Sequence, residues 1–501
     1  LGNFTWQSND LAIPSVGPGL DLTRTFNGLN PRVGMFGQGW SSTYETRVAV
    51  NCGTGAVTVV YPDGRNEVHT PVPSGGFAAP PGATTRLTTL GSGYRLTFRD
   101  GTAFEFSSSG LLSKIVNALG HALNLTWLFG KLASVVDGVS GRSLTFVYTG
   151  SVVTEVRTTP VTAGGVTAPI TVRYGYVGST LERVCGPIDP SLITGTCTLY
   201  TMTAGRLEAV IDANGHVDAA VEYDGQGRVV AQEDGAGGRT TFTYPSPLQS
   251  VQTDPTGRIR TVESDSMRRQ RLVTDAVGNV TEYRYDPLGF PEATVLPSGR
   301  TQSVTRDAHG NVLTSTDAGG GTRYFVYDAF DNPVREVDER GADANDLTFA
   351  ITMQWDGAHH LLLSATRPPT QDVPISTVTR TYTAGTESAV GGGVMPAFLL
   401  RAETSALGGV TTYDYDSKGN VRRMVDPVGL TVEYEYDELG RLVSITEISD
   451  SFPAGVIRDV EYDALGHVIA ETGPGVINPV TCDTHRQLAA YAFDGAGNMI
   501  A

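Results

Sequence analysis

The chain has 501 residues with 60 glycines, 40% hydrophobic and 18% charged, a composition too apolar for a disordered polypeptide and too glycine-rich for a helical one. Its 36 basic and 53 acidic residues leave a net charge of −17, which argues against a nucleic-acid partner because phosphate backbones are met by concentrated positive charge. The length accommodates two to four domains of ~100–200 residues or one repeat array, with strands and turns favoured throughout.

In chain order, Leu1 is followed by no basic-then-apolar leader and Ala501 comes just after a turn signal, which reads as a piece of a longer or processed polypeptide. The most apolar stretch, Leu111 to Val136, is broken by Lys114, His121, Lys131 and two glycines, so no membrane span is expected. Turns at Pro62-Asp63-Gly64, Asp100-Gly101, Asn117 to Gly120 and Asp137 to Gly141 read as worn repeats. Breaks at Pro71 to Ala83, Thr158 to Cys197 and Arg367 to Pro396, where Pro and Gly cluster, are predicted to be surface or lumen-facing loops. Cys185 and Cys197 bracket one such loop, either as a disulfide, which suits an exported protein, or as two buried thiols. Cys52 and Cys482 are expected to be small core residues.

The strongest signal is a repeat. Tyr223-Asp224, Tyr285-Asp286, Tyr327-Asp328, Tyr415-Asp416, Tyr436-Asp437, Tyr462-Asp463 and Phe493-Asp494 each open a glycine turn, and a second series at Asp212, Asp234, Asp254, Asp275, Asp317, Asp338 and Asp426 interleaves with them. Asp286, Asp307 and Asp328 are 21 residues apart, so one strand with its turn takes about 10.5 residues. In D-x-x-G the Asp suits the first position of a type I turn and the Gly a left-handed bulge position, as predicted for Gly440 after Asp437. Segments such as Thr281-Glu282-Tyr283-Arg284-Tyr285 alternate as strands do, which places Tyr283 with Tyr285, Phe325 with Tyr327, Tyr413 with Tyr415, and Tyr434 with Tyr436 on one face, expected to stack between repeats as a packing ladder. Arg206 to Ala501 then holds about 28 strands, a sheet of ~130 Å at ~4.8 Å per strand. So wide a ribbon must curl. The fold class is all-β: an antiparallel β-meander curling into a large hollow spiral shell, with an N-terminal β domain at 1–92, degenerate repeats with an inserted loop at 93–205, and regular repeats at 206–501.

The units Tyr436-Asp437-Glu438-Leu439-Gly440-Arg441-Leu442 and Tyr415-Asp416-Ser417-Lys418-Gly419-Asn420-Val421 resemble the YD repeats of RHS proteins, over at least residues 206–501. Gly17 to Asn27 with Phe36-Gly37-Gln38-Gly39-Trp40 is similar to the domain that commonly precedes those repeats. The resemblance implies a hollow cocoon of the kind that encloses a C-terminal toxic polypeptide in bacterial polymorphic toxins and Tc toxin complexes, with teneurins sharing the shell in an adhesion setting. Such shells often end in a self-cleaving D-P-x-G-L motif. Asp426-Pro427-Val428-Gly429-Leu430 matches its letters, but an ordinary repeat resumes at Thr431, so it is read as a turn, like Asp254-Pro255-Thr256-Gly257 and Asp286-Pro287-Leu288-Gly289.

Chemistry is not signalled. The chain has no GxSxG, Walker A, HExxH or CxxC pattern. His121, His216, His309 and His467 lie beside turn glycines and are expected to be exposed; adjacent His359 and His360 cannot share a strand face; Cys482 with His485 is a fragment of a metal site at best. Lys418 spoils the calcium-loop likeness of Asp414 to Gly419. No catalytic, cofactor-binding or metal residue is therefore expected. The reading is a non-enzymatic shell, secreted or on the bacterial cell surface, that encloses or presents a C-terminal toxin or other polypeptide cargo. The alternative is an extracellular adhesion, carbohydrate-binding or filament-forming module that binds cell-surface glycans through exposed aromatics or self-assembles.

Overall fold

The computed structural model describes residues 2–30, 32–163, 166–186, 197–357, 359–370, 374–463, 466–477, 480, 483–494 and 497–500. From Arg86 to Ala490 the chain builds one antiparallel sheet of 35 strands in which each strand pairs with the one before it and the one after it. At ~4.8 Å per strand the ribbon is about 170 Å long. Arg206 to Ala490 contains 24 strands, fewer than the repeat length suggests, because strands such as Phe452–Tyr462 run to 11 residues.

Alternation gives the ribbon two unlike faces. In Thr431–Tyr436, Val432 is buried and Tyr434 and Tyr436 are half-buried on one face, while Glu433 and Glu435 are exposed on the other. The second face is hydroxyl-rich, with cross-strand contacts between Thr305 and Thr314 at 2.7 Å and between Thr366 and Thr377 at 2.9 Å.

The two ends of the strands also differ. Hairpins that turn at Tyr-Asp carry a register shift at the aromatic: Glu222/Tyr223, Arg284/Tyr285, Val326/Tyr327, Asp414/Tyr415, Glu435/Tyr436 and Glu461/Tyr462. Hairpins at the other end, such as those pairing Leu272↔Glu282, Ala293↔Ser303 and Arg423↔Glu433, keep register. Register shifts also occur in pairs joined at the other end, at Arg157/Pro160, Val210/Ile211, Glu447/Ser449 and Thr472/Gly475, but they recur at the Tyr-Asp end; a bulge bends its strand and raises the local twist, so bulges concentrated on one edge curl the ribbon. The resulting shape is a spiral.

Residues 2–78 form smaller sheets, Thr5–Ile13, Leu20–Asn27 and Trp40–Ser42 in one and Arg47–Val50, Val57–Val60, Asn66–Pro71 and Phe77–Ala78 in another. Phe26, Phe36, Trp40 and Tyr44 share one core with ribbon residues from Leu87 to Val229. Arg24, 1% exposed, donates to Asp10 at 2.5 and 2.8 Å; Tyr174 donates to Asp10 at 2.7 Å, and Tyr200 accepts from Arg24 at 3.1 Å. Residues 2–78, the cap, therefore plug into the ribbon where Tyr174 and Tyr200 bond to a charge pair within the cap, Arg24 with Asp10. A domain of this size has a radius of gyration of about 11 Å. It nonetheless packs on strands from Leu112–Val116 to Val229–Asp234, roughly 50 Å of ribbon. The ribbon must wrap around it, and the apolar, tyrosine-bearing face is the concave one.

Two predicted loops are strands. Thr158 to Cys197 contains part of a long hairpin, Val152–Ala163 with Val166–Val177, and the strand Thr180–Cys185, because Val, Thr and Ile outweigh the single prolines; Arg367 to Pro396 contains the strand Ser376–Tyr382. Cys185 and Cys197 are disulfide-bonded across paired strands, Cys52 is exposed in the Asn51–Ala56 turn rather than in the core, and Cys482 lies outside the described residues.

Candidate functional site

The turns are one device repeated. At Asp437 the backbone N–H donates to the Arg441 carbonyl and the Gly440 N–H to the Asp437 carbonyl, both at 3.0 Å, and Gly440 has φ +81°. This is a type I turn closed by a left-handed bulge residue, as the sequence predicts. The Asp437 carboxylate accepts from the Leu439 and Arg441 N–H groups at 2.9 Å and from Arg441 Nε at 2.6 Å. Asn takes the Arg position after Asp275, Asp328 and Asp416, and His after Asp463. The carboxylates are spent on their own turns. Hydrogen bonding holds several below the usual carboxylate range: the Arg228 N–H for Asp224, the Arg269 N–H for Asp265 and the Asn279 side chain for Asp275.

The tyrosines of the concave face are clasped to the preceding turn rather than stacked on each other. Tyr462 donates to the Leu442 carbonyl at 2.8 Å while the Arg441 guanidinium lies 4.7 Å from its ring centroid. Tyr285 does the same with Gln270 and Arg269, and Tyr244 with Val229 and Arg228. The arginine thus serves two turns, its Nε tied to one Asp and its π-face to the next Tyr. Tyr415, on the Leu400 carbonyl at 2.7 Å, is buried enough that its phenol is pushed up to about 12.

All Tyr-Asp turns lie on one edge of the ribbon, and that edge of the second coil meets the opposite edge of the first. Gly82 N–H donates to Leu288 at 2.6 Å, Arg99 to Gly310 at 3.0 Å, and Asn214 to Asp494 at 2.8 Å. Arg142, 2% exposed, joins three segments: its guanidinium donates to Glu438 O at 3.1 Å, to Asn420 Oδ1 at 3.0 Å and to Pro14 O of the cap at 2.9 Å. Along the first coil the Tyr-Asp edge is covered by the cap, through Val48 to Gly110 at 2.9 Å, Gln38 to Ser179 at 3.2 Å and Val229 to Gly2 at 2.9 Å. The other edge of the second coil is open: a side-chain carbon added at Gly257, Gly278, Gly299, Gly320, Gly408 or Gly429 would meet nothing, and Val277, Leu407 and Val428 are 82%, 99% and 88% exposed. The cap thus covers one edge of the spiral, and at the far edge of the second coil no described residue packs on these turns. The sequence did not signal the register shifts at the aromatics, the arginine clasp or the seam.

The remaining candidates fall into place around this frame. Asp426 sits in an ordinary turn, its carboxylate accepting from the Val428 and Leu430 N–H groups at 2.9 Å. Asp416 likewise accepts from Lys418 and Asn420 N–H at 2.9 Å, where the calcium-loop likeness lay. His359 faces Asp356 at 2.9 Å and His360 faces Asn332 at 2.5 Å, so the adjacent histidines part. His216 and His309 are exposed as expected, and His467 is half-buried against Phe493. His121 is not exposed: at 8% it is buried in the seam, because the second coil covers its turn. No group of three or more His, Cys, Asp or Glu side chains among the described residues could hold a metal, and no described helix is long and apolar enough to cross a membrane.

Two family descriptions match the chain: RHS Repeat at residues 306–343 and 415–451, and a domain of unknown function, DUF6531, at residues 1–68. The chain is 32% identical over 127 residues to the tRNA nuclease WapA of Bacillus subtilis (strain 168) and, equally, to the tRNA3(Ser)-specific nuclease WapA of Bacillus spizizenii. These alignments take in 25% of this chain and 5% of each relative, so the chain spans a small part of the curated relatives it matches. Among solved structures it is similar to TcdB2-TccC3 without its hypervariable C-terminal region, at 11% identity and a TM-score of 0.48 over 97% of this chain and 28% of that one. It is also similar to the Photorhabdus luminescens Tc holotoxin pore, at 13% identity and a TM-score of 0.42 over 99% of this chain and 26% of that one.

Proposed function

We propose that this chain, an RHS-repeat protein, is a non-enzymatic wall that encloses another polypeptide, with the concave aromatic face turned toward the cargo. The observation that carries the reading is the polarity of the spiral. Its first coil is plugged by residues 2–78, its coils are stitched edge to edge, and beyond the plug the concave face continues with half-buried Tyr285, Tyr327, Tyr382, Tyr434, Tyr436 and Tyr462. Such a face offers apolar rings with edge hydroxyls already tied to the wall, which suits non-specific contact with an unfolded chain better than recognition of one ligand. The turn carboxylates, the most abundant acidic groups, are held in hydrogen bonds to their own backbone, which supports a scaffold over a hydrolase. A net charge of −17 supports a polypeptide rather than a nucleic-acid partner. The Cys185–Cys197 disulfide supports a secreted or surface setting.

The test is to fuse a disordered reporter after Ala501 and expose the fusion to protease, with negative-stain images of the same sample. A stain-filled lumen and a reporter cleaved far more slowly than in free form are expected. A solid particle, or a reporter cut at the free rate, would end the enclosure reading.

A further inference from the structure

His121 lies where three segments meet: its own turn from Asn117 in the first coil, Gly17 of the cap, and Ala397 of the second coil. Its Nε2 is 3.0 Å from the Ala397 carbonyl, an atom that only accepts, so Nε2 carries the proton of a neutral ring. Its Cβ lies 2.9 Å from where a side chain on Gly17 would begin, so the cap backbone packs directly against this residue. Nδ1 is buried without a hydrogen-bond partner. The charged side chain acting on His121 is Asp137, from the neighbouring strand Lys131–Asp137; its carboxylate accepts from Val139 and Ser140 N–H at 3.1 Å and from the Ser140 hydroxyl, and it also attracts Arg142. The segments that touch the ring from the other coil and from the cap, Pro396 to Phe398 and Pro14 to Gly17, carry no titratable side chain.

We propose that His121 is a proton-operated latch: neutral, it holds cap, first coil and second coil together at Ala397, and protonated, it releases that stretch of seam. Protonation places an N–H on Nδ1 where nothing accepts it and adds a charge to a dry site, and both costs vanish when the seam opens and the imidazolium is hydrated. The open form therefore binds the proton more tightly, and opening gains as pH falls below the ordinary histidine value of about 6.5. Burial holds His121 below that value in the closed form, against the pull of the Ala397 carbonyl and of Asp137. His309, His359 and His467 do not share this geometry: they face Asp331, Asp356 and Asp463 at 2.9 Å, and those carboxylates accept their N–H whether or not the ring is charged. His69, in the cap strand Asn66–Pro71, is also buried with no hydrogen-bond partner on either ring nitrogen, and it lies outside the segments that the test below reads. The latch deepens the enclosure reading by giving it a release step, and its test reads the seam without any cargo.

Hydrogen exchange on the full chain between pH 8 and pH 5, corrected for intrinsic rates, measures protection at 117–122 and 396–399. Protection is expected to fall by up to about tenfold per pH unit below about 6.5, the limit for one linked proton, and to stay flat in His121→Gln, whose amide can still donate to Ala397. Titration of the His121 ring by NMR in the unaltered chain supplies an independent reading should the variant fold poorly; a midpoint below that of His309, which Asp331 holds up, is expected. Flat protection in the unaltered chain, an unchanged pH response in His121→Gln, or a His121 midpoint at or above about 6.5 overturns the latch.

Discussion

Replacing Arg142 with alanine removes one side chain from the interior of the seam and three hydrogen bonds with it, to Glu438, Asn420 and Pro14. Bonds from a charged donor contribute about 1.5–3 kcal/mol each, so the gross loss is roughly 5–9 kcal/mol. Water entering the vacated space restores part of it, leaving about 3–5 kcal/mol, the usual cost of taking one member from a buried charged network. In a ribbon whose strands contact mainly their neighbours, that loss appears first as local opening rather than global unfolding. Hydrogen exchange should show protection at 437–441 and 14–17 falling by about a hundredfold or more, since each 1.36 kcal/mol is a factor of ten. Protection at Thr281–Tyr285, far along the ribbon, should hold. Arg142→Lys should recover less than half, because one ammonium cannot fork to acceptors on three segments. Unchanged protection at 437–441 in Arg142→Ala would mean that the seam does not depend on these contacts.

Gly440→Val should be worse than Gly429→Val: both glycines have positive φ, but a side chain at Gly440 also starts 2.5 Å from the Arg142 guanidinium, whereas Gly429 faces open space; equal melting temperatures for the two variants would refute this. Tyr462→Phe removes the hydroxyl bond to Leu442 but keeps the ring under Arg441, so a loss of about 0.5–1.5 kcal/mol in denaturant melts is expected, and no loss would mean that water replaces the bond. Acid should loosen the hairpins late. The depressed carboxylates of Asp224, Asp265 and Asp275 contribute stability that is fully present above the unfolded value near 3.9 and lost as pH falls below it, so near-UV circular dichroism should hold to pH 5 and decay below about 4; decay of the whole signal between pH 7 and 5 would refute the assignment. Asp426→Asn should leave the mass of the incubated chain unchanged from the unaltered protein, because the carboxylate is occupied by Val428 and Leu430; a new terminus near Leu430 that the substitution abolishes would expose a cleavage element.

What the sequence made legible is local in sequence. The Asp, the Gly three residues on and the Arg or Asn after it act on one another within one turn, so their chemistry was readable at Asp437-Glu438-Leu439-Gly440-Arg441 and recurs in the structure. Strand order followed from uniform short turns. The aromatic ladder was half right: Tyr434 and Tyr436 share a face, but they are half-buried, and at Tyr462 the ring partner is an arginine from the preceding turn, a contact between neighbours in space that alternation cannot specify. His121 and Arg142 were out of reach for a different reason. Their partners, Ala397 and Glu438, lie 276 and 296 residues away, a separation set by how many strands make one coil.

That number is itself set by the bulges. A ribbon of identical hairpins has no reason to favour one edge, and twist alone would wind it into an open propeller. Placing the recurrent register shift at the Tyr-Asp ends bends one edge relative to the other, turn after turn, so the strip becomes a helix whose successive coils can touch. The bulge carries a tyrosine because the bent strand end exposes the neighbouring backbone carbonyl, and a phenol reaching back from the next hairpin both satisfies that carbonyl and fixes the bend, as Tyr285 does at Gln270 and Tyr462 at Leu442. One residue thus sets curvature, register and the spacing of the coils. The histidine and arginine that close the seam work only because that spacing repeats closely enough to bring residue 121 to residue 397 and residue 142 to residue 438.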